Sequence, residues 1–293
     1  MLKVFAQPSL IFALCTFIWA GTVSPALSAT TTSGQDPAPP VALDQVITGL
    51  PQDDLEDLFV FVAGNVLFTL YHEGGHMLIS ELGLPVLAQE EDAVDNLATV
   101  TMLAADNDDM DLYLAQAMIG WFLIAEEAYE DLVFYDEHDL DQQRGYAILC
   151  LMVGADPSAF RGLARDLELP ADRIESCGYD YEQAADSWDI VTSPHLRDAD
   201  DPGGKIRVVH EPAPAGLDSM AVFLKESELM ELVAEELDTF YDLPEEVTFR
   251  ATTCNEENAF WDPDTRELIL CHELLGGFAE IFLSLPDGDQ DDE

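Results

Sequence analysis

Two histidines four positions apart, with a glutamate beside the first, make the run His72-Glu73-Gly74-Gly75-His76, an H-E-x-x-H pattern. On a helix, residues four apart stand on one face, one turn along. Two imidazoles so placed grip one zinc ion from the same side. The Glu next to the first His points beside the metal, where it can take a proton from metal-bound water. The chemistry on offer is hydrolysis of an amide bond through a zinc-bound water, with His72 and His76 as ligands and Glu73 as general base. A pattern this short also arises by chance, and the competing reading is a polar patch satisfied by neighbouring side chains. The setting favours the site. Leu58 to Tyr71 is almost wholly apolar, and two His and a Glu on a buried helix are costly without a partner.

Catalytic zinc needs a third protein ligand and keeps one position open. The continuation H-E-x-x-H-x-x-G-x-x-H would place Gly at 79 and His at 82, but the chain has Ile79 and Leu82 there. A carboxylate remains. The run Gln89-Glu90-Glu91-Asp92-Ala93-Val94-Asp95 opens the next expected helix. Glu91 and Asp95 share a face of it. Glu91 can bind the metal while Asp95 accepts the free ring N–H of a ligand His, fixing its tautomer and orientation. Glu90 and Asp92 compete for the ligand role, and an acidic, solvated helix start is the plain alternative.

The elements that must position these residues follow from periodicity and punctuation. A helix capped by Asp53 or Asp54 runs to about Leu82, stopped by Gly83 and Pro85. Further helices are expected over Glu90 to Ala105, Asp111 to Phe134, Leu140 to Val153, Phe160 to Leu167 and Arg173 to Trp188. After the turn signal Pro202-Gly203-Gly204, Ile206 to His210 reads as a strand and Met220 to Tyr241 as one amphipathic helix. Val247 to Thr253 and Glu267 to Cys271 read as strands joined by a turn at Asp262-Pro263-Asp264, and a last helix covers Glu273 to Leu283. The fold class is α+β and predominantly helical: an H-E-x-x-H helix bundle (residues 51–195) with a smaller C-terminal α+β part (205–285). That part is either a separate small domain or the sheet on which the helices pack.

At this point the chain resembles a bacterial domain-of-unknown-function family of candidate zinc metallopeptidases. The resemblance is carried by His72 to His76, by Leu84-Pro85-Val86-Leu87 and by Glu90 to Asp95. It continues through Glu137-His138-Asp139-Leu140-Asp141-Gln142-Gln143-Arg144, Cys150, Asp156-Pro157, Cys177, Ser187-Trp188, Asn258 to Pro263 and Cys271-His272-Glu273-Leu274. It implies zinc in a gluzincin-type arrangement, with His72, His76 and a Glu as ligands and Glu73 as base. Gly74 stands where similar motifs often carry a larger residue, and His272 where Tyr is expected.

His138 and Arg144 lie near each other and could bind substrate or stabilise an oxyanion, or form a polar network between helices. His272-Glu273 is no second H-E-x-x-H, because Gly276 holds the second His position. His195 and His210 fall in no ligand spacing. Asp106 to Asp111 lacks the Gly and distal Glu of an EF-hand loop. The chain has neither a phosphate-binding Gly-rich loop nor a G-x-S-x-G elbow.

The whole chain sets the context. Eleven Lys and Arg against 59 Asp and Glu give a formal charge of -48. Binding phosphate needs clustered cations, so this balance excludes nucleic-acid partners. It reads as a strongly solvated surface or as weak divalent-cation binding. Lys3, the apolar run Leu10 to Ala20 and Ala26-Leu27-Ser28-Ala29 read as an export signal over residues 1–29, with an uncleaved anchor as the alternative. Residues 30–50, opened by the Thr/Pro/Gly-rich stretch Thr30 to Val41, read as a flexible linker, and 286–293 as an acidic tail. Export to a periplasmic or extracellular, oxidising compartment makes disulfides of the remaining Cys150, Cys177, Cys254 and Cys271. Of three pairings, Cys150–Cys177 and Cys254–Cys271 are preferred because each is local. The expected partner is a peptide or protein substrate, with no stable membrane span once the signal is gone. The rival reading is a non-catalytic zinc-binding or acidic interaction protein of the cell envelope.

Overall fold

The architecture is organised by the apolar run before the H-E-x-x-H pattern, because a helix that apolar has to be wrapped on all sides. The computed structural model describes residues 42–87, 89–127, 133–135, 137–198 and 200–285. The expected export signal, the stretch Thr30 to Val41 and the expected acidic tail lie outside them. The described residues fall in one compact unit.

The wrapped helix is α2 (Gln52–Leu82). By length and composition it could cross a membrane, yet 67% of its apolar window is buried by the other elements. Leu58, Phe61, Leu67 and Leu70 are fully enclosed, and each such side chain contributes roughly 1.5–3 kcal/mol on burial. Its cap is Pro51 rather than an aspartate, and Asp53 and Asp54 sit in the first turn instead. There they favour the positive end of the helix dipole. Gly83, in the left-handed region at φ 64, ends the helix as the sequence indicates.

Around it stand α3 (Glu90–Ala104), α4 (Asp108–Glu127), α5 (Asp141–Ala155), α6 (Pro157–Asp166) and α7 (Ala171–Thr192), followed by a 3-10 turn at Ser193–His195. The expected helix to Phe134 is too long: Val133 to Tyr135 are already outside it. Asp156 caps α6 by accepting the Ser158 and Ala159 N–H groups at 2.8 and 3.1 Å, with Pro157 in the first turn. Residues 43–50 are not a linker throughout, because α1 (Leu43–Gly49) forms there and buries Leu43 and Ile47. Its Asp44 accepts the Asp218 and Ser219 N–H groups of a later helix.

The C-terminal part contains β1 (Ile206–His210), α8 (Asp218–Glu226), α9 (Leu229–Phe240), β2 (Val247–Thr252), β3 (Ala259–Asp262), β4 (Glu267–Cys271) and α10 (His272–Ser284). The single helix expected over Met220 to Tyr241 is two helices, broken at Glu228 with φ 55. The break lets Met220 and Leu224 on one side, and Met230, Val233 and Leu237 on the other, all reach the core. The sheet order is β1-β2-β4-β3. β1, β2 and β4 are parallel, while β3 pairs antiparallel with β4, Trp261 opposite Leu268. The turn at 263–266 therefore joins β4 to β3, an edge strand that the sequence reading passed over. α9, α10, β3 and β4 all pack on α2. Disulfides join Cys150 to Cys177 and Cys254 to Cys271.

Candidate metal centre

His72 and His76 project from one face of α2 with ring centroids 5.0 Å apart and Nε2 atoms 3.3 Å apart. The other nitrogen of each ring is held by a carboxylate from α3. His72 Nδ1 lies 2.7 Å from Asp95 Oδ1, and His76 Nδ1 lies 2.9 Å from Glu90 Oε1. When each Nδ1 donates its proton to these acceptors, each Nε2 presents a lone pair. Glu91 closes the third side, Oε2 3.1 Å from His72 Nε2 and Oε1 3.4 Å from His76 Nε2. One ligand atom from each of the three lies within 4.8 Å of the others. Three acceptors facing one point repel unless a cation joins them. Glu91 Oε2 is buried and faces only imidazole nitrogens, His72 Nε2 at 3.1 Å and His138 Nε2 at 2.9 Å. Two imidazoles and a carboxylate are thus a donor set that fits a metal ion.

A proton can take the metal's place. Burial works against charge on His72, but Asp95 and Glu91 outweigh it and push the ring up to about 9. Burial likewise opposes charge on His76, and Glu91 and Glu90 raise it. Burial also disfavours an ionised Glu91, yet His138, His72 and His76 hold it well below the usual carboxylate range. Glu73, 7% exposed, moves the other way. Burial lifts it above the ordinary range, while His72, His76 and the Trp261 backbone N–H pull it part of the way back.

The centre opens on a cleft of about 730 Å³. α2 forms its floor, Trp121 and Ile124 of α4 one wall, and Phe260 and Trp261 of β3 with Leu274 and Phe278 of α10 the other. His138 stands at the rim, Nε2 2.9 Å from Glu91 Oε2, its ring nearly parallel to that of His72 at 6.4 Å. A further opening of about 520 Å³ is lined by His76, Gln89, Glu90, Glu91 and Glu137.

The structure thus brings His72, Glu73, His76, Glu91 and Asp95 together. Glu90 serves His76 as Asp95 serves His72, and Asp92 lies outside the three-residue group. Arg144 reaches the site, but its Nε and Nη2 are committed to Asp95. These bonds tie α5 to α3 in a polar network, and Arg144 also lines the cleft. His272 is buried at the start of α10 and does not line the cleft. Sequence reasoning missed Trp121 and the β3 wall. A Trp at helical spacing reads as core, and four strand residues carry too little periodicity to stand out. The small residue at 74 has a packing cause: a Cβ there would meet Leu237 Cδ1 of α9 at 2.7 Å.

A buried helix bearing two imidazoles and an acid, joined by a carboxylate from the next helix and opening on a cleft, is an arrangement that could hold a metal ion. A family described as “Putative metallopeptidase” matches residues 44–191 and 210–292, and the chain belongs to it. Those segments contain every residue of the centre. No curated protein and no solved structure matches the chain.

Proposed function

We propose that this protein is an exported zinc metallopeptidase that hydrolyses an amide bond with Glu73 as general base. The observation that carries the reading is the convergence of His72 Nε2, His76 Nε2 and a Glu91 oxygen at the floor of an open cleft, with Glu73 beside them. His72, His76 and Glu91 would hold the ion, and Asp95 and Glu90 fix the tautomers of the two rings. Zinc bound there supplies Lewis acidity, polarising a carbonyl and acidifying water. Glu73, raised by burial, is suited to accept the proton of the attacking water and return it to the leaving nitrogen. The Trp121 and Phe260 walls shelter the substrate from bulk water and offer apolar surface to its side chains. Two disulfides suit an oxidising, exported setting. A purely structural zinc protein would close its site on four ligands, and a cleft of this size at the centre speaks against that.

Glu73→Gln separates base from ligand. It should lower kcat by roughly 10²–10⁴-fold on a peptide library while the protein keeps its zinc. Loss of zinc in this variant, or undiminished turnover, would contradict the base role.

A further inference from the structure

The His72–Asp95 pair continues one residue deeper. Arg144 on α5 donates Nε to Asp95 Oδ2 at 2.7 Å and Nη2 to Asp95 Oδ1 at 2.8 Å. Oδ1 is the same atom that accepts from His72 Nδ1 at 2.7 Å. The guanidinium carbon sits 3.6 Å from the centroid of the Trp121 ring. Arg144 and Asp95 are each only 8% exposed. Four helices therefore supply one link each: α2 the ligand, α3 the carboxylate, α5 the cation and α4 the aromatic seat.

A buried carboxylate needs a cation, or it takes up a proton or turns to solvent. A guanidinium meets it with two parallel N–H groups and so fixes the plane of the carboxylate as well as its charge. The indole face attracts the guanidinium and limits its movement. With that plane fixed, Oδ1 stays where it accepts the His72 Nδ1–H. Nε2 is then left as a lone pair aimed at Glu91 and His76.

We propose that Arg144 is a positioning residue of the metal centre: it acts through Asp95 to hold His72 in its ligating tautomer and orientation, with Trp121 as its seat. The inference rests on the metal reading of the site. It assigns the cation in the cleft wall to the metal rather than to the substrate, and it makes Lys a poor substitute, because an ammonium cannot offer both prongs.

The test is the zinc Kd, measured by competition with a chromophoric chelator, together with the visible spectrum of the cobalt(II)-loaded protein. The set is the parent, Arg144→Met, Arg144→Lys, Asp95→Asn and the Arg144→Met, Asp95→Asn double variant. Arg144→Met should weaken zinc roughly 10–100-fold and shift the cobalt bands, with Arg144→Lys between it and the parent. In the Asp95→Asn background, Arg144→Met should add about twofold or less. An unchanged Kd in both Arg144 variants overturns the inference, and so does the full loss persisting in the Asp95→Asn background. Arg144→Lys, which keeps the charge and much of the volume, carries the comparison if Arg144→Met fails to fold. A parent that binds no zinc overturns the metal reading and this inference with it; a parent that binds while the variants match it overturns the inference alone.

Discussion

At the scale of single residues the centre is a contest between a metal and a proton for the same lone pairs. Carboxylates from α3 that orient the imidazoles for a metal also make them basic, which is why His72 is pushed up to about 9. A metal needs the neutral ring. The sign follows: below about pH 9 the metal must displace a proton from His72, so affinity falls as pH falls, and above it that competition ends. Zinc titrations at several pH values should give log K rising by about one per pH unit below that point, more steeply where His76 also holds a proton. A pH-independent affinity between 6 and 8 would contradict this account of the site. That Glu91 and Asp95 both face the histidines was legible in the sequence, because four positions put them on one helix face. The pairing of Glu90 with His76 was not legible, since adjacent carboxylates look alike until the helix's angle to α2 is known.

The elements do their work by close approach. α2 is crossed by α4 where Gly64 faces the Tyr113 backbone carbonyl, and a Cβ at 64 would fall on that oxygen. Gly64→Ala should therefore force α4 outward despite its better helix propensity, costing about 1–3 kcal/mol. Urea unfolding reads this directly, and a stabilised variant would show that the crossing gives way freely. Because α4 also carries Trp121 and Ile124 into the cleft, the same change should disturb the wall. Most of this framework was written in periodicity: α2, α3, α5, β1 and β4 stand close to where apolar spacing, Gly83 and the acidic helix start place them. The exceptions have tertiary causes. Glu228 takes a left-handed conformation to bend one apparent helix into α8 and α9, a conformation nothing about a Glu announces. β3 exists because β4 pairs with it, and its neighbours, not its own four residues, decide that it is a strand.

Over the whole molecule the charge of -48 works against compaction. Repulsion among exposed carboxylates is long-ranged at low salt and screened beyond about 8 Å at 0.15 M. Thermal unfolding should move to higher temperature as sodium chloride rises from about 0.01 to 0.15 M, and a flat or falling Tm would show that surface charge is not a destabilising force here. Against that repulsion the fold sets a core continuous from α1 to α10 and two disulfides, Cys150–Cys177 and Cys254–Cys271. The grouped histidines and carboxylates all come from α2 and α3, while β3 and α10 contribute one wall of the cleft. The measurement that bears most directly on the central claim is the zinc content of the purified protein by elemental analysis, beside a His76→Ala variant. One zinc per chain in the parent and loss of it in the variant is the expected result. No zinc in either, even after the metal is supplied, would contradict the metal centre and leave His72, Glu73 and His76 as a buried polar patch.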